Sequence, residues 1–229
     1  EQKRIVEKVD ALFSLIDTLD FNKDQLQETI NITRNKVLEE AVQGKLVPQN
    51  PEDEPASVLL EKIKEEKERL IKEKKIKKQK PLPPITQEEI PSNLPKGWEW
   101  ARLGECCIIN PRNSFDDNQK ASFIPMTLIE EGFKNKHKSE TKLWKEIKKG
   151  FTHFAENDVA VAKITPCFEN RKSAIMRNLY NKIGAGTTEL HIIRSINGLI
   201  LPEYLLSIFK TDKFIQGGVD TYTGTAGQQ

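Results

Sequence analysis

The sequence has few of the residues that stabilise small cross-linked or metal-bound domains. Among its 229 residues there are three cysteines, Cys106, Cys107 and Cys167, with no CxxC pair and no histidine at zinc-ligand spacing. An odd number of cysteines without such spacing argues against a disulfide framework and against a structural zinc site. The cysteine content therefore predicts a protein of a reducing compartment.

Long apolar segments are also missing. No apolar run approaches the roughly 18 residues that a membrane-spanning helix requires, and the first residues contain no apolar signal region. We therefore expect a cytoplasmic protein without a membrane partner. Because the first residue is Glu1 and not methionine, we also expect the natural chain to start earlier.

The common catalytic signatures are absent as well. The sequence has no P-loop, no GxGxxG after a strand, no HExxH and no GxSxG. The segment GAGTTE, residues 184–189, has two glycines but precedes a predicted strand, so it lacks the helix N-terminus of a phosphate site. These absences favour a noncatalytic protein and indicate no cofactor.

The histidines and cysteines do not combine into a reactive group. His137, His153 and His191 are scattered along the sequence. His191 lies inside an apolar strand pattern and is interpreted as a hydrogen-bonded sheet residue, not as a ligand or base. The adjacent Cys106 and Cys107 are interpreted as packing residues.

Charge is abundant but nearly balanced. Residues 1–96 contain 18 lysines and arginines against 19 acidic residues, and residues 97–229 contain 18 against 15, for a net charge of +2. The chain has no polybasic tail, so its composition alone does not indicate nucleic acid.

The first segment has the pattern of a long amphipathic helix. Apolar residues recur at alternating spacings of four and three, at Ile5, Val9, Leu12, Ile16, Leu19, Leu26, Ile30 and Val37. No glycine or proline precedes Gly44, so the pattern predicts a helix from Ile5 to Val42, about 57 Å long at ~1.5 Å per residue. A core-facing helix of a bundle is one interpretation; the length favours a spacer or a dimer seam.

A second helix is predicted from Ala56 to Lys80, with one narrow apolar edge and Glu–Lys pairs at helical spacing. Residues 72–80 contain six lysines and one glutamate. They are either a solvated helix end or a contact with phosphates, and both interpretations remain open. The prolines that follow exclude a regular helix, so residues 81–93 are predicted to be a linker.

The second domain is predicted to begin at Leu94. Trp98 and Trp100 share one parity of an alternating pattern, which predicts a strand with one buried face. We interpret the two tryptophans as anchors of the linker on the core of the domain, in preference to a stacking surface for bases.

Further β-branched runs predict strands at residues 158–164, 172–176 and 188–194, and a helix is predicted at 201–216, begun by Pro202. The fold class is therefore α+β, with long coiled-coil-type helices followed by a mixed α/β domain. The predicted organisation is a helical spacer at 1–80, the Pro-rich linker, and the second domain at 94–229.

Several loops of this domain are rich in side chains that bind base edges and phosphates. Arginine and lysine suit guanine, asparagine and glutamine suit adenine, and threonine reaches either base or a phosphate. The candidate DNA-binding residues are Lys163, Thr165, Asn170, Arg171, Lys172, Thr187, Thr188 and Gln228. Ordinary solvent-exposed turns have the same composition, so this alternative remains open.

The order of several segments resembles one protein family over essentially the whole chain. The segments are EQKRIVEKVDALFSLID, VLEEAVQGKLVPQNPEDEPASVLLEKIKEEKERLI, LPKGWEWARLGE, DVAVAKITPCFEN, GAGTTELHIIR and TYTGTAGQQ. Together they are similar to the DNA specificity (S) subunit of type I restriction-modification systems. In that family, two target recognition domains alternate with two conserved helical regions.

The resemblance implies a fold and a function. Each target recognition domain reads one half of a split DNA site, and the helices hold the halves apart as an antiparallel coiled coil. This chain would contain one conserved helical region and one recognition domain, with both ends expected to continue. The implied partners are double-stranded DNA, the methyltransferase (modification) subunit and the restriction (motor and nuclease) subunit, with possible self-association through the coiled coil.

The resemblance also accounts for the missing active site, because methylation and cleavage belong to the partner subunits. Asn110-Pro111-Arg112 comes nearest to the [DN]PP[YF] signature of adenine methyltransferases, but lacks its second proline and its aromatic residue. Two alternatives remain: a noncatalytic coiled-coil protein that binds a partner, and a recognition domain of another modification or nuclease system. The recognised bases do not follow from the sequence.

Overall fold

The computed structural model describes residues 2–90 and 93–222, without the side chains of 2–11, 16–17 and 19–20. It is a mixed helix and sheet structure that separates into two compact units, Glu1–Val37 and Leu38–Gln229. In the described part of the chain, no helix is both long enough and apolar enough to cross a membrane.

The first unit is part of one long helix. Helix α1 is Gln2–Val42, which confirms the helix predicted from Ile5 to Val42. Gly44 ends it with a φ of +68°, and the Lys45 N–H donates to the carbonyl oxygen of Glu40 over 2.8 Å. This is the hydrogen bond of a Schellman motif, in which a glycine adopts the left-handed conformation just beyond the helix. Large apolar side chains are exposed along α1: Leu12, Phe13, Leu15, Phe21, Leu26, Ile32 and Val37.

Helix α2, Ala56–Lys72, ends eight residues before the predicted position at Lys80. Lys74 has a φ of +58°, and the N–H of Lys75 donates to the carbonyl oxygen of Leu70 over 2.9 Å. A second Schellman motif, with lysine in place of glycine, therefore ends the helix inside the lysine-rich run. The proposed division at residues 80 and 93 stays a prediction.

The rest of the second unit consists of short strands and helices. They are α3 (Leu103–Cys106), β1 (Cys107–Ile109), β2 (Lys120–Ile124), β3 (Glu140–Leu143), α4 (Trp144–Ile147), β4 (Thr152–Ala155), β5 (Val159–Ala162), β6 (Ser173–Ile175), β7 (Ile183–Gly186), β8 (Leu190–Ser195), α5 (Pro202–Phe209) and α6 (Asp212–Val219). Strands β5, β6 and β8 confirm the three predicted runs. Short 3-10 turns cover Gln87–Glu89, Met126–Leu128 and Tyr180–Lys182.

Two four-stranded sheets organise these elements. Their strand orders are β1-β8-β5-β6 and β3-β2-β7-β4. All the pairings are antiparallel except that of β2 with β7, which is parallel. One apolar cluster, with Ile124 and Phe154 from one sheet and Ala160 and Ile192 from the other, fills the space between the sheets. The outer faces are covered by α3, α5 and α6 on the first sheet and by α4 on the second.

The strand predicted at the two tryptophans is wrong. Residues 98–102 form no strand, and the first ladder begins at Cys107, which pairs with Ser195. The Trp98 indole packs on the backbone of Gly44, where an added Cβ would lie 2.9 Å from the ring, and its N–H donates to the Gln49 side chain over 2.9 Å. Trp98 is thus an anchor on the segment after α1 and not on the core of the domain, and Trp100 is 39% exposed, so the interpretation of the two tryptophans as anchors on the core is wrong.

The single helix predicted at 201–216 is also wrong, because two helices occupy the segment. Helix α5 ends at Phe209, and α6 begins after Thr211, whose side-chain oxygen accepts a hydrogen bond from the N–H of Phe214 over 3.2 Å. A threonine N-cap starts a new helix by satisfying a free N–H group. Pro202 does begin α5, as predicted.

Candidate nucleic-acid interface

The parallel pair β2 and β7 brings two loops to the same end of the fold. Ile124 at the end of β2 is the register partner of Gly186 at the end of β7. Because parallel strands end on the same side of a sheet, the loops 125–138 and 187–189 leave this sheet together.

The other sheet adds a third loop at that end. Ala162 at the end of β5 pairs with Leu190 at the start of β8, so the loop 163–172 leaves beside residues 187–189. The backbone N–H of Lys163 donates to the carbonyl oxygen of Glu189 over 2.9 Å. Three loops therefore converge at one end of the two sheets.

Four of the predicted DNA-binding residues lie where the two shorter loops meet. Lys163 and Thr165 are half-buried, and Thr188 is exposed. The Thr187 hydroxyl donates to the Glu189 carboxylate over 3.3 Å and accepts from the N–H of the same residue over 3.2 Å. The fold thus brings a lysine and three threonines together at this end of the sheets.

Arg171 is bound within the fold. Its Nε donates to the carbonyl oxygen of Lys210 over 3.0 Å, and its guanidinium pairs with Asp212. The guanidinium also lies 4.9 Å from the centre of the Phe133 ring. Burial lowers the pKa of Arg171, and its side chain is 20% exposed. Base reading by Arg171 stays a prediction, and in this structure the guanidinium supports its own loop.

Three predicted residues remain. Asn170 is exposed, and its side-chain N–H donates to the Glu131 carboxylate over 3.4 Å. Lys172 is half-buried, and its Nζ donates to the carbonyl oxygen of Met126 over 3.4 Å. Both contacts connect the loop 163–172 to the preceding one. Gln228 lies outside the described residues.

Lys210 was missed by the sequence analysis. It is 3% exposed, and its Nζ donates to the carbonyl oxygens of Gly132 and Arg171, over 2.6 Å in each case. Burial, followed by repulsion from Arg171, lowers the pKa of Lys210 to about 7. This lysine connects two of the three loops. No local pattern indicates its role, because position 210 lies inside the helix predicted at 201–216.

A second missed feature is the hairpin at residues 129–138, here called the lysine hairpin. Ile129 and His137 form an isolated antiparallel bridge. The N–H of Glu130 donates to the carbonyl oxygen of Lys136 over 3.0 Å. Ile129 is 1% exposed, so the first arm is fixed in the core.

The second arm of the lysine hairpin lies along the edge strand β6. The side-chain oxygen of Asn135 accepts from the N–H of Ile175 over 2.9 Å, and Nε2 of His137 accepts from the N–H of Arg177 over 3.1 Å. These side chains satisfy alternate outward N–H groups that an edge strand leaves unpaired. Three exposed lysines alternate with them: Lys134, Lys136 and Lys138. The alternation KNKHK is the signal that sequence analysis could have used.

The residues that were considered for chemistry have structural roles. Cys106 and Cys107 are buried, and burial raises the pKa of Cys107 to about 12, which confirms the interpretation as packing residues. His191 is exposed on β8, its Nδ1 lies 3.3 Å from the side-chain nitrogen of Asn110, and partial desolvation of the ring lowers the pKa of His191. Within residues 2–90 and 93–222, no group of three or more His, Cys, Asp or Glu could hold a metal ion.

Two curated proteins of Escherichia coli are similar to this chain over 197 residues. The chain is 55% identical to the type I restriction enzyme EcoAI specificity subunit and 50% identical to the EcoEI specificity subunit, over 86% of its own length. It is a relative of the type I specificity subunits. Each match covers 33% of the relative, so the chain spans about a third of the length of these subunits. No protein-family model matches it.

Two solved structures are also similar. One is the HsdS subunit from Thermoanaerobacter tengcongensis, and the other concerns complex assembly and conformational transition of the type I R-M system. Each shows 21% identity and a TM-score of 0.49; the HsdS structure covers 61% of this chain with 36% of its own, and the other covers 60% with 35%. The relationship to type I specificity subunits rests on the sequence matches alone.

Proposed function

We propose that this chain is the part of a type I specificity subunit that reads one half of a split DNA site. The observation that carries the proposal is the convergence of three loops at one end of two packed sheets, in a chain 55% identical to a specificity subunit. Loops on a rigid scaffold suit recognition, because the sheets fix their positions while their side chains remain variable.

The proposed mechanism combines direct reading of bases with positioning on the backbone. Lys163, Asn170 and Thr188 are the first candidates for base contacts, because each lies on a converging loop; Asn170 and Thr188 are exposed, and Lys163 is half-buried. A good bidentate contact with a base is worth about 1–3 kcal/mol of discrimination. If Arg171 reads a guanine, Arg171→Ala relaxes specificity at that position; a phosphate contact would weaken binding to all sequences alike.

The long helix α1 is proposed to be the spacer between two reading domains. Its exposed apolar side chains on the stripe, among them Leu12, Leu26 and Val37, suit a coiled-coil seam with another helix. The helical region is also proposed to dock the adenine-N6 methyltransferase subunit, with the restriction subunit joining that complex. The chain itself would be noncatalytic, without a cofactor, and cytoplasmic.

The first test is to co-express the complete specificity subunit with the modification subunit encoded beside it. The purified complex is then equilibrated with a random pool of duplex DNA, and the retained DNA is sequenced. The proposal expects an enriched motif of two half-sites with a fixed spacer. A matched sample without the modification subunit separates the contribution of docking from that of DNA binding.

The alternatives give different results. A coiled-coil protein that only binds a partner would form a complex but enrich no motif. A recognition domain that serves another modification or nuclease system would enrich a motif but form no complex with the methyltransferase subunit. Complex formation with an enriched split motif is the only result that supports the proposal.

A further inference from the structure

The lysine hairpin has a basic row that the sequence analysis did not assign to any partner. Its members are Lys134, Lys136 and Lys138, all exposed, and they alternate with the two residues that anchor the arm to β6. In an extended arm, successive side chains point to opposite sides. Because Asn135 and His137 face the protein, the three lysines face away from it.

The row stands beside the loop that carries most of the predicted base contacts. The N–H of Gly132 donates to the carbonyl oxygen of Asn170 over 2.8 Å, and Lys210 bridges the carbonyl oxygens of Gly132 and Arg171. The hairpin is thus fixed to the loop 163–172 at one side and to an edge strand at the other. A surface held in this way has a defined position relative to the proposed reading loops.

We propose that the lysine hairpin binds the phosphate backbone of duplex DNA next to the bases that the neighbouring loops read. This inference rests on the function proposed above and assigns the sequence-independent part of it. The three lysines supply positioning and affinity, and the loops 163–172 and 187–189 supply specificity.

The spacing of the lysines suits a DNA strand. Alternate residues of an extended arm are about 6.6 Å apart, so the row spans about 13 Å, several times the ~3.4 Å axial rise per phosphate of one strand, and its lysines can reach different phosphates. Lys134 pairs with Glu130 over 3.0 Å, but both side chains are largely exposed. An exposed pair of this kind contributes little, so a phosphate can replace the carboxylate.

The three lysines also lie close enough to one another to act on a single carboxylate, that of Glu130. The hydrogen bond from Lys134, followed by the charges of Lys136 and Lys138, lowers the pKa of Glu130. One carboxylate therefore senses all three cations, as expected for a compact basic row. Within the hairpin, Glu130 pairs with one of the three lysines and Glu131 with Asn170, so the row is more basic than acidic and favours a polyanion.

The test uses a triple variant, Lys134→Gln, Lys136→Gln and Lys138→Gln, in the complete subunit with its modification partner. Its matched control removes the same charge at the other end of the sheets: Lys120→Gln at the start of β2, Lys145→Gln in α4 and Lys182→Gln just before β7. All six lysines are exposed, so thermal unfolding should remain unchanged in both variants. The measurement is the dissociation constant as a function of salt, for a selected site and for random duplex DNA.

Each phosphate contact contributes about 0.9 to the slope of log affinity against log salt. We expect the triple variant to lose up to about 2.7 from that slope, on the selected site and on random DNA alike. Between 50 and 200 mM salt, the wild-type affinity would then fall up to about 40-fold more than that of the variant. The ratio between the two DNAs should remain unchanged.

Two results would overturn the assignment. A slope equal to that of the control variant would mean that the hairpin does not contact phosphates. A loss confined to the selected site would mean that the hairpin reads bases. Failure of the proposed function is distinguishable from these two results. A wild-type complex that selects no motif contradicts the proposed function, while its salt slope on random DNA still tests whether the hairpin contacts phosphates.

Discussion

Lys210 and Arg171 are hydrogen-bonded to each other in both directions. Nζ of Lys210 donates to the carbonyl oxygen of Arg171 over 2.6 Å, and Nε of Arg171 donates to the carbonyl oxygen of Lys210 over 3.0 Å. Two cations are therefore held in contact, with Asp212 paired to the guanidinium. Because Lys210 also reaches Gly132, this pair fixes the end of α5 to two loops of the candidate interface.

Lys210→Met should release the two loops. Methionine keeps most of the volume but leaves the carbonyl oxygens of Gly132 and Arg171 without the donor. A buried polar group that loses its partner costs about 1–3 kcal/mol, so we expect the free energy of unfolding to fall by that amount. Urea unfolding measures this loss. The control is Lys213→Met, at an exposed position of α6, which should change stability little.

The same variant tests the pKa of Lys210. The pKa of this amine is lowered from 10.5 to about 7 by burial, followed by repulsion from Arg171. Between these values the unfolded chain binds more protons than the folded one, so this group makes stability rise as pH increases above about 7. Lys210→Met should remove that contribution. A difference between wild type and variant that stays constant from pH 7 to 9 would contradict the assignment.

His137 should make the free energy of unfolding depend on pH at the acidic end of the range. Its Nε2 must stay unprotonated to accept from the N–H of Arg177, and burial lowers the pKa of His137 below the ordinary 6.5. As pH falls below 6.5, the unfolded chain takes up the proton first, so the free energy of unfolding decreases. The pKa of His153 is lowered by burial as well, and it adds to this decrease.

His137→Gln separates the acceptor from the titration, because the amide oxygen can accept from Arg177 but does not ionise. We expect the variant to unfold at a similar urea concentration at pH 7.5 and to lose less stability than wild type at pH 5.5. His137→Ala should lower stability at both pH values, because the edge N–H group then lacks its acceptor. Identical pH profiles for wild type and His137→Gln would refute the role of this side chain.

Gly184 should not tolerate a side chain. A Cβ at this position would collide with the ring of Phe154 and lie 2.6 Å from the carbonyl oxygen of Ser122. Overpacking of a core typically costs about 1–3 kcal/mol, so Gly184→Ala should lower the unfolding temperature. The control is Gly217→Ala in α6, where an added Cβ meets nothing within 4 Å and should be neutral or stabilising. Equal melting temperatures for the two variants would contradict this packing.

The helices and strands whose apolar residues repeat regularly along the chain were predictable from the sequence. The alternation of four and three predicted α1, and three β-branched runs predicted β5, β6 and β8, because side-chain periodicity follows backbone geometry directly. The glycines of GAGTTE lie in β7, a strand that the sequence pattern did not predict. Their actual role, close packing against Phe154, depends on a neighbouring strand that the sequence does not name.

Features made by distant partners were not predictable in this way. Residues 98–101 have the alternating pattern of a strand, but residues 98–102 form none. Trp98 contacts Gly44 instead. Lys210 is buried because two loop carbonyls face it, one of them 78 positions away in the chain. Arg171 has a side chain that can read a base, yet in the fold it binds the carbonyl oxygen of Lys210 and the carboxylate of Asp212.

The proposed spacer role of α1 gives the last prediction. Inserting one heptad of seven residues near Lys23 would lengthen the helix by about 10.5 Å and preserve its apolar stripe. At ~3.4 Å per base pair, we expect the gap between the two half-sites selected by the complete complex to grow by about three base pairs. Replacing residues 22–28 by the same heptad, without added length, is the control and should leave the gap unchanged. If the lengthened subunit still binds DNA but selects the original gap, α1 does not set the distance between the two readers.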